Sequence, residues 1–147
     1  MINQKISLNI SFVINRILIV IILAAIFFLP SFLTWFTKLS DKSDIYLPLI
    51  ITVYVSILPA IAALISLDRL LNNIKKNQVF IEINTLCLRI ISWCCFLIGI
   101  IYSVFGYFYL MSLMISFAAV FFGIILRVLK NVFAKAVEIK NENDFTV

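Results

Sequence analysis

The side chains best suited to chemistry in this chain are three cysteines, Cys87, Cys94 and Cys95. A thiolate metal site is typically built on C-x-x-C pairs or on cysteine with histidine, and this sequence has neither such a pair nor any histidine. Cys94 and Cys95 are neighbours, so on a helix their side chains point about 100° apart. The spacing therefore predicts packing residues; palmitoylation of Cys87, close to a membrane boundary, is the alternative left open.

Asp, Glu, Lys, Arg and His are absent from three long stretches, Ile17 to Thr37, Ile45 to Leu67 and Ile90 to Leu126. Proton-coupled pumps, ion-coupled exchangers and voltage sensors generally need an ionisable group inside the membrane. Small four-span multidrug exporters depend on an acidic residue in their first span, and Ile17 to Trp35 contains none. Metal-dependent membrane hydrolases need His, Asp or Glu ligands. The sequence therefore predicts a protein that is not an enzyme, with no catalytic, cofactor-binding or metal-binding residues and no cofactor.

The charge-free stretches contain 21, 23 and 37 residues. A bilayer core about 30 Å thick takes roughly 20 apolar residues of helix at 1.5 Å per residue, so each of the first two stretches predicts one span. The third is too long for one span and is expected to fold back at 106–109, where Gly106 and two tyrosines suit a turn at headgroup level. Apolar residues make up 64% of the chain, against about 45 to 50% in soluble domains.

The predicted fold is an all-α integral membrane protein in which four transmembrane helices form an antiparallel bundle. It is a single domain over residues 1–147, with spans near 17–36, 46–67, 89–106 and 109–128, a loop at 68–88, and a C-terminal helix and tail at 129–147. Small residues give the second and third spans sides suited to close helix contacts: Ala60, Ala62, Ala63 and Ser66, then Ser92, Gly99, Ser103 and Gly106. A pore lined by the serines is the less favoured interpretation.

Basic residues are distributed unevenly between the two sides of these spans. Of the twelve Lys and Arg, only Lys38 and Lys42 follow the first span; the others precede it, follow the fourth span, or lie between the second and third. Basic residues concentrate on the cytoplasmic side, so both termini and the 68–88 loop are predicted to be cytoplasmic in a cell membrane. The net charge of +5 thus follows topology and forms no continuous face, so direct nucleic-acid binding is not expected.

The predicted cytoplasmic loop is too apolar to be a plain tether. Residues 67–77 are expected to extend the second span as an amphipathic helix, which Asn77 ends because asparagine tolerates the left-handed C-cap conformation. Val79 and Phe80 follow as an apolar pair that either packs against the bundle or contacts a partner. Asn84 or Thr85 is expected to cap the next helix.

Both ends of the chain also show a regular spacing of apolar and polar side chains. From Arg127 the fourth helix is expected to continue into the cytoplasm with an apolar stripe that includes Val132 and Phe133, before an acidic tail with an apolar end. Near the N-terminus, residues 6–12 alternate apolar and polar side chains, the period of a strand, although a helix start at the membrane interface is favoured.

These segments resemble a known family. The stretch 71–80, then Asn84 and residues 88–90, and the ending 142–147, are similar to a small bacterial four-span membrane family known as domain of unknown function 2975, over nearly the whole chain. One departure is Asn77, where the family pattern has glycine. The resemblance implies no catalytic residues. It does imply a regulatory role, because the members resemble components of units that pair a membrane protein with a compact helix-turn-helix DNA-binding protein.

The leading hypothesis is a non-enzymatic regulatory protein in the lipid bilayer that holds a small cytosolic transcription regulator at the membrane. The expected partner contacts are Asn77, Val79, Phe80, Asn84, Arg89, Glu142, Asp144, Phe145 and Val147. The first alternative is self-protection against a bacteriocin-like peptide through outer residues such as Trp35, Tyr46 and Tyr107. The second is a pore or transporter subunit built from several copies, which is least favoured because the spans offer little polar lining.

Overall fold

Four long helices make up nearly all of the computed structural model, which describes residues 2–41 and 43–146. A short 3-10 helix, Ser43–Ile45, precedes the second of them. In chain order the long helices are α1 (Ile2–Leu39), α2 (Tyr46–Lys75), α3 (Glu82–Phe105) and α4 (Ser112–Phe145). The described ranges contain no strand. Lys42, one of the two basic residues predicted on the outer side, lies outside them.

Each of the four helices is long and apolar enough to cross a membrane, which confirms the number of candidate spans. The longest charge-free stretch divides as predicted, because α3 ends at Phe105 and α4 begins at Ser112. The turn between them starts at Gly106, whose amide donates to the Tyr102 carbonyl at 3.0 Å. The chain therefore has an all-helical membrane architecture.

All four helices are longer than a bilayer core is thick, and α1 and α4 are the longest. They have 38 and 34 residues, which correspond to about 57 and 51 Å at 1.5 Å per residue, against a core of about 30 Å. Because α1 is helical from Ile2, the alternating residues at its start belong to a helix and not to a strand. The start of α1, the end of α2 and the second half of α4 meet at one end of the molecule. We call this the loop end, because residues 76–81 connect α2 to α3 there.

The helices pack in an open row, with α1 on α2, α2 on α3 and α3 on α4. Across the described residues, no close backbone contact joins α1 to α3 or α4, or α2 to α4. The structure therefore shows packing between helices that are consecutive in the chain, and it does not show closure of the antiparallel bundle that the sequence predicts. A physical reason is that lipid tails are as apolar as the side chains, so no hydrophobic gain closes the row. Its free faces carry exposed aromatics such as Phe27 and Phe117.

The contact between α3 and α4 is a seam of serines and glycines. Ser92 Oγ donates to the Gly123 carbonyl at 2.8 Å, and Ser116 Oγ donates to the Gly99 carbonyl at 2.7 Å. A Cβ atom added at Gly99 would lie 2.6 Å from Cγ2 of Val120. Small residues on α3 thus permit a close approach of the two backbones, as the third span's small-residue side predicts.

Candidate functional site

The loop end is organised by a tight turn at Asn77. This residue is in the left-handed region with φ of 59°. Its amide donates to the Ile74 carbonyl at 3.0 Å, and the Gln78 amide donates to the Asn73 carbonyl at 2.9 Å. Together these bonds form the Schellman motif that ends many helices. The prediction that Asn77 stops the second helix is confirmed, since α2 ends at Lys75.

Asn84 holds the rest of this loop together. Its side chain is 0% exposed, and its Nδ2 donates to the Gln78 carbonyl at 2.8 Å and to the Val79 carbonyl at 2.7 Å. Its Oδ1 accepts a hydrogen bond from Asn73 Nδ2 at 2.8 Å. One buried amide therefore ties the loop backbone to the end of α2 and the start of α3.

The prediction that Asn84 or Thr85 caps α3 is wrong. The helix begins directly after Ile81, which is extended with φ of −133° and ψ of 151°, and no side chain caps it. Asn84 lies inside the first turn, so its amide points back to loop carbonyls instead of accepting from helix amides. Its complete burial also removes it from the residues that a partner can touch, in contrast to the prediction, and gives it a positioning role.

Phe80 is the most prominent apolar side chain that the loop presents. Its ring centroid lies 5.7 Å from that of Phe133 on α4, yet 44% of the residue stays exposed. Phe133 in turn packs against a buried cluster formed by Leu70, Cys87 and Leu88. Phe80 is therefore anchored on one face and free on the other, and Val79 beside it is half-buried.

The predicted tail residues lie away from this loop. Glu142 and Asp144 are exposed near the end of α4, and Phe145, its last residue, is 92% exposed. Twelve residues separate Phe145 from Phe133, or about 18 Å of helix at 1.5 Å per residue. Val147 lies outside the described residues. The 76–81 loop and the end of α4 are thus two separate surfaces at the loop end.

Arg89 belongs to neither surface. It is exposed on α3 and lines a cavity between α3 and α4 together with Arg127 and Lys130. Of the predicted contact residues, the structure therefore brings together only Asn77, Val79, Phe80 and Asn84.

The cysteines take packing positions, as their spacing predicts. Cys87 and Cys94 are 4% and 6% exposed, and Cys95 is half-buried. Cys87 lies inside the cluster on which Phe133 packs, so its thiol is not accessible to an acyl donor. No group of three or more His, Cys, Asp or Glu that could hold a metal ion occurs within residues 2–41 and 43–146.

A polar group between α1 and α2 was missed by sequence reasoning. Asn15 is 1% exposed, and its Nδ2 donates to the Leu64 carbonyl at 3.2 Å and to Asp68 Oδ1 at 3.5 Å. Arg16 Nε lies 3.6 Å from the same carboxylate. The available signal was that Arg16 and Asp68 border charge-free stretches of consecutive antiparallel spans, which places them at the same depth.

Comparison with known proteins shows that the chain is similar to a protein family and to a protein from a bacterium. The model of the family described as protein of unknown function (DUF2975) matches residues 37–147. A protein of Bacillus subtilis (strain 168), described as uncharacterized membrane protein YoaS, is 33% identical over an alignment of 110 residues, and the match covers 66% of this chain and 69% of that protein. No solved structure matches.

Proposed function

The chain belongs to the family described as protein of unknown function (DUF2975), and from this premise we propose that it is a non-enzymatic membrane protein that binds a small cytosolic DNA-binding regulator at its loop end. The observation that carries the proposal is Phe80. A large aromatic side chain is held on a rigid loop beyond the charge-free helix segments with 44% of its surface exposed. Exposed aromatics on a fixed backbone are common anchors of protein interfaces.

The rigidity of the loop supports a binding role. The Schellman turn and the three Asn84 hydrogen bonds fix six non-helical residues, 76–81. A preorganised surface loses less conformational entropy when a partner binds. The polar side chains involved are already paired with one another or with backbone groups, so they serve positioning and not chemistry.

The end of α4 supplies a second contact of different character. Glu142 and Asp144 are exposed beside Phe145. DNA-binding proteins carry positive surfaces that neutralise phosphates, and acidic side chains around an apolar anchor suit such a partner. We therefore propose that the tail attracts the regulator and that Phe80 anchors it.

This function requires the loop end to face the cytoplasm of a cell membrane, which we propose from the excess of Lys and Arg at that end. The prediction is tested by labelling single introduced cysteines in intact cells with a membrane-impermeant maleimide. Tyr107→Cys, at a position that is 90% exposed in the opposite turn, is expected to react. Lys140→Cys is expected to react only after permeabilisation, and the parent chain with its three native cysteines gives the background.

A result in which Lys140→Cys is labelled in intact cells while Tyr107→Cys is protected would reverse the orientation. The loop end would then be inaccessible to any cytosolic regulator.

Regulator binding is tested by crosslinking in native membranes and by transcription of the regulator's target gene. Phe80→Ala combined with Phe145→Ala is expected to reduce recovery of a small helix-turn-helix protein about tenfold or more, because removal of an interface anchor commonly costs 2 kcal/mol or more. Target transcription is expected to change in the same cells. The matched control is Tyr107→Ala together with Phe27→Ala, two exposed aromatics away from the loop end.

Equal recovery and equal transcription for both double variants would contradict the proposal. If only the control variant sensitised cells to an added bacteriocin-like peptide, the self-protection function would replace the regulatory one.

A further inference from the structure

Three basic side chains converge on one cavity between α3 and α4. The cavity has a volume of about 270 Å³ and is lined by Arg89, Ser92, Trp93, Arg127 and Lys130. Arg89 and Trp93 are one turn apart on α3, and Arg127 and Lys130 are one turn apart on α4, so each pair lies along one side of its helix. The cavity is therefore built by the register of the two helices.

The positive charges of this cavity are not neutralised by the described part of the chain. Among the described residues, the ion pairs join Arg16 to Asp68 and Lys135 to Glu138. Neither pair involves Arg89, Arg127 or Lys130 of the cavity. Arg127 places its guanidinium 5.4 Å from the centroid of the Trp93 ring, a cation–π contact that orients the group without cancelling its charge. Three like charges around one small space attract an anion.

The depth of the cavity identifies the kind of anion. Arg89 directly precedes the charge-free stretch 90–126 and Arg127 directly follows it, so both mark the boundary between hydrocarbon and headgroups. Trp93 is 54% exposed, and tryptophan is enriched at this depth. Exposed Leu97 and Ile124, about one turn deeper, offer an apolar surface directly beside the charges.

We propose that this cavity binds the phosphate of an anionic phospholipid headgroup, with Arg89, Arg127 and Lys130 as its ligands and the acyl chains along the lipid-facing surface of α3 and α4. Arginine forms paired hydrogen bonds with phosphate oxygens, and lysine adds a point charge. Basic pockets between transmembrane helices are a recurring form of headgroup site. Because three cations exceed the charge of one phosphodiester, a headgroup with two phosphodiesters is expected to bind more tightly than one with a single phosphodiester. The site is separate from the Phe80 surface and does not depend on regulator binding.

The test is native mass spectrometry of the full chain in detergent with an equimolar mixture of phosphatidylglycerol, diphosphatidylglycerol and phosphatidylcholine. The unmodified chain is expected to retain an anionic lipid in preference to phosphatidylcholine by about tenfold or more, from the attraction of several basic side chains. Arg89→Gln, Arg127→Gln and Lys130→Gln together are expected to abolish the preference. The matched control, Lys5→Gln, Lys76→Gln and Lys140→Gln, removes the same charge from exposed positions of the loop end and is expected to keep it.

A milder variant separates charge from geometry. Arg127→Lys keeps the charge but loses the planar group that stacks on Trp93, and it is expected to weaken the preference without abolishing it. Retention of the full preference by the triple cavity variant, or its loss in the control, would overturn the proposal.

A second measurement distinguishes lipid from soluble phosphate. In a Trp35→Phe background, Trp93 is the remaining tryptophan, so its fluorescence reports on the cavity. Adding phosphatidylglycerol to the chain in phosphatidylcholine vesicles is expected to change this emission, while inorganic phosphate at millimolar concentration is expected to leave it unchanged. The reverse pattern would show that the ligand is a free phosphate and would overturn the lipid assignment.

Discussion

Replacing Asn84 by leucine is expected to lower the free energy of unfolding by about 2 to 4 kcal/mol, although leucine has the same number of side-chain heavy atoms, branched at the same carbon. The side chain is 0% exposed and makes three hydrogen bonds. Without it, the carbonyls of Gln78 and Val79 and the amide of Asn73 lose their partners. Each buried unpaired group costs about 1 to 3 kcal/mol. The cost is smaller for the side-chain amide of Asn73, because this residue is half-buried and water can reach it.

The measurement is unfolding of the purified chain in mixed micelles, followed by circular dichroism. Asn72→Leu is the matched control, because Asn72 is exposed on α2 and its replacement is expected to change stability by less than about 0.5 kcal/mol. In cells, Asn84→Leu is expected to reduce regulator recovery because the loop no longer holds Phe80 in place, although the variant removes no exposed side chain. Unchanged stability together with unchanged recovery would show that the loop does not need its buried amide.

Gly99→Leu is expected to separate α3 from α4 and to destabilise the chain by about 2 to 3 kcal/mol. The first added atom would already lie 2.6 Å from Cγ2 of Val120 and 3.4 Å from the Ser116 carbonyl oxygen. Valine has one strongly preferred rotamer in a helix, so Val120 cannot turn away at low cost. The shift would also stretch the hydrogen bond from Ser116 to the Gly99 carbonyl. The better helix propensity of leucine offsets only part of this loss.

The same micelle unfolding experiment checks this prediction, with Ala118→Leu as the control. Ala118 is exposed on α4, so added bulk there meets lipid or detergent and not a helix. If the two variants unfolded alike, the close approach at Gly99 would not contribute to stability.

The spans could be predicted from sequence because their signal is one-dimensional. A charge-free stretch long enough to cross the bilayer core predicts a transmembrane helix, independently of the helices that pack against it. The turn at Asn77 could be predicted for a similar reason, since one residue's tolerance of positive φ decides where α2 ends. The function of a residue that acts through its own backbone conformation is visible in the local sequence.

Asn84 shows where local reasoning fails. A polar residue near a predicted helix start indicates a cap, but the true start depends on where the backbone stops being extended, which is at Ile81.

The polar group around Asn15 was missed because Leu64 and Asp68 lie 49 and 53 residues away along the chain. The basic cavity was missed because it exists only in one register of α3 against α4. Small-residue faces predict pairwise helix contacts, and such contacts do not determine whether four helices close into a bundle.

The open row of helices has a consequence for how the protein is made. Each helix after the first contacts the one that precedes it in the sequence, so its partner has already been synthesised when it enters the bilayer. In the described part of the chain, close helix contacts join only neighbours in the sequence, and contacts between segments that are near in sequence favour fast folding. Assembly in the membrane can therefore follow the order of synthesis, with the contact between α3 and α4 as the last to form.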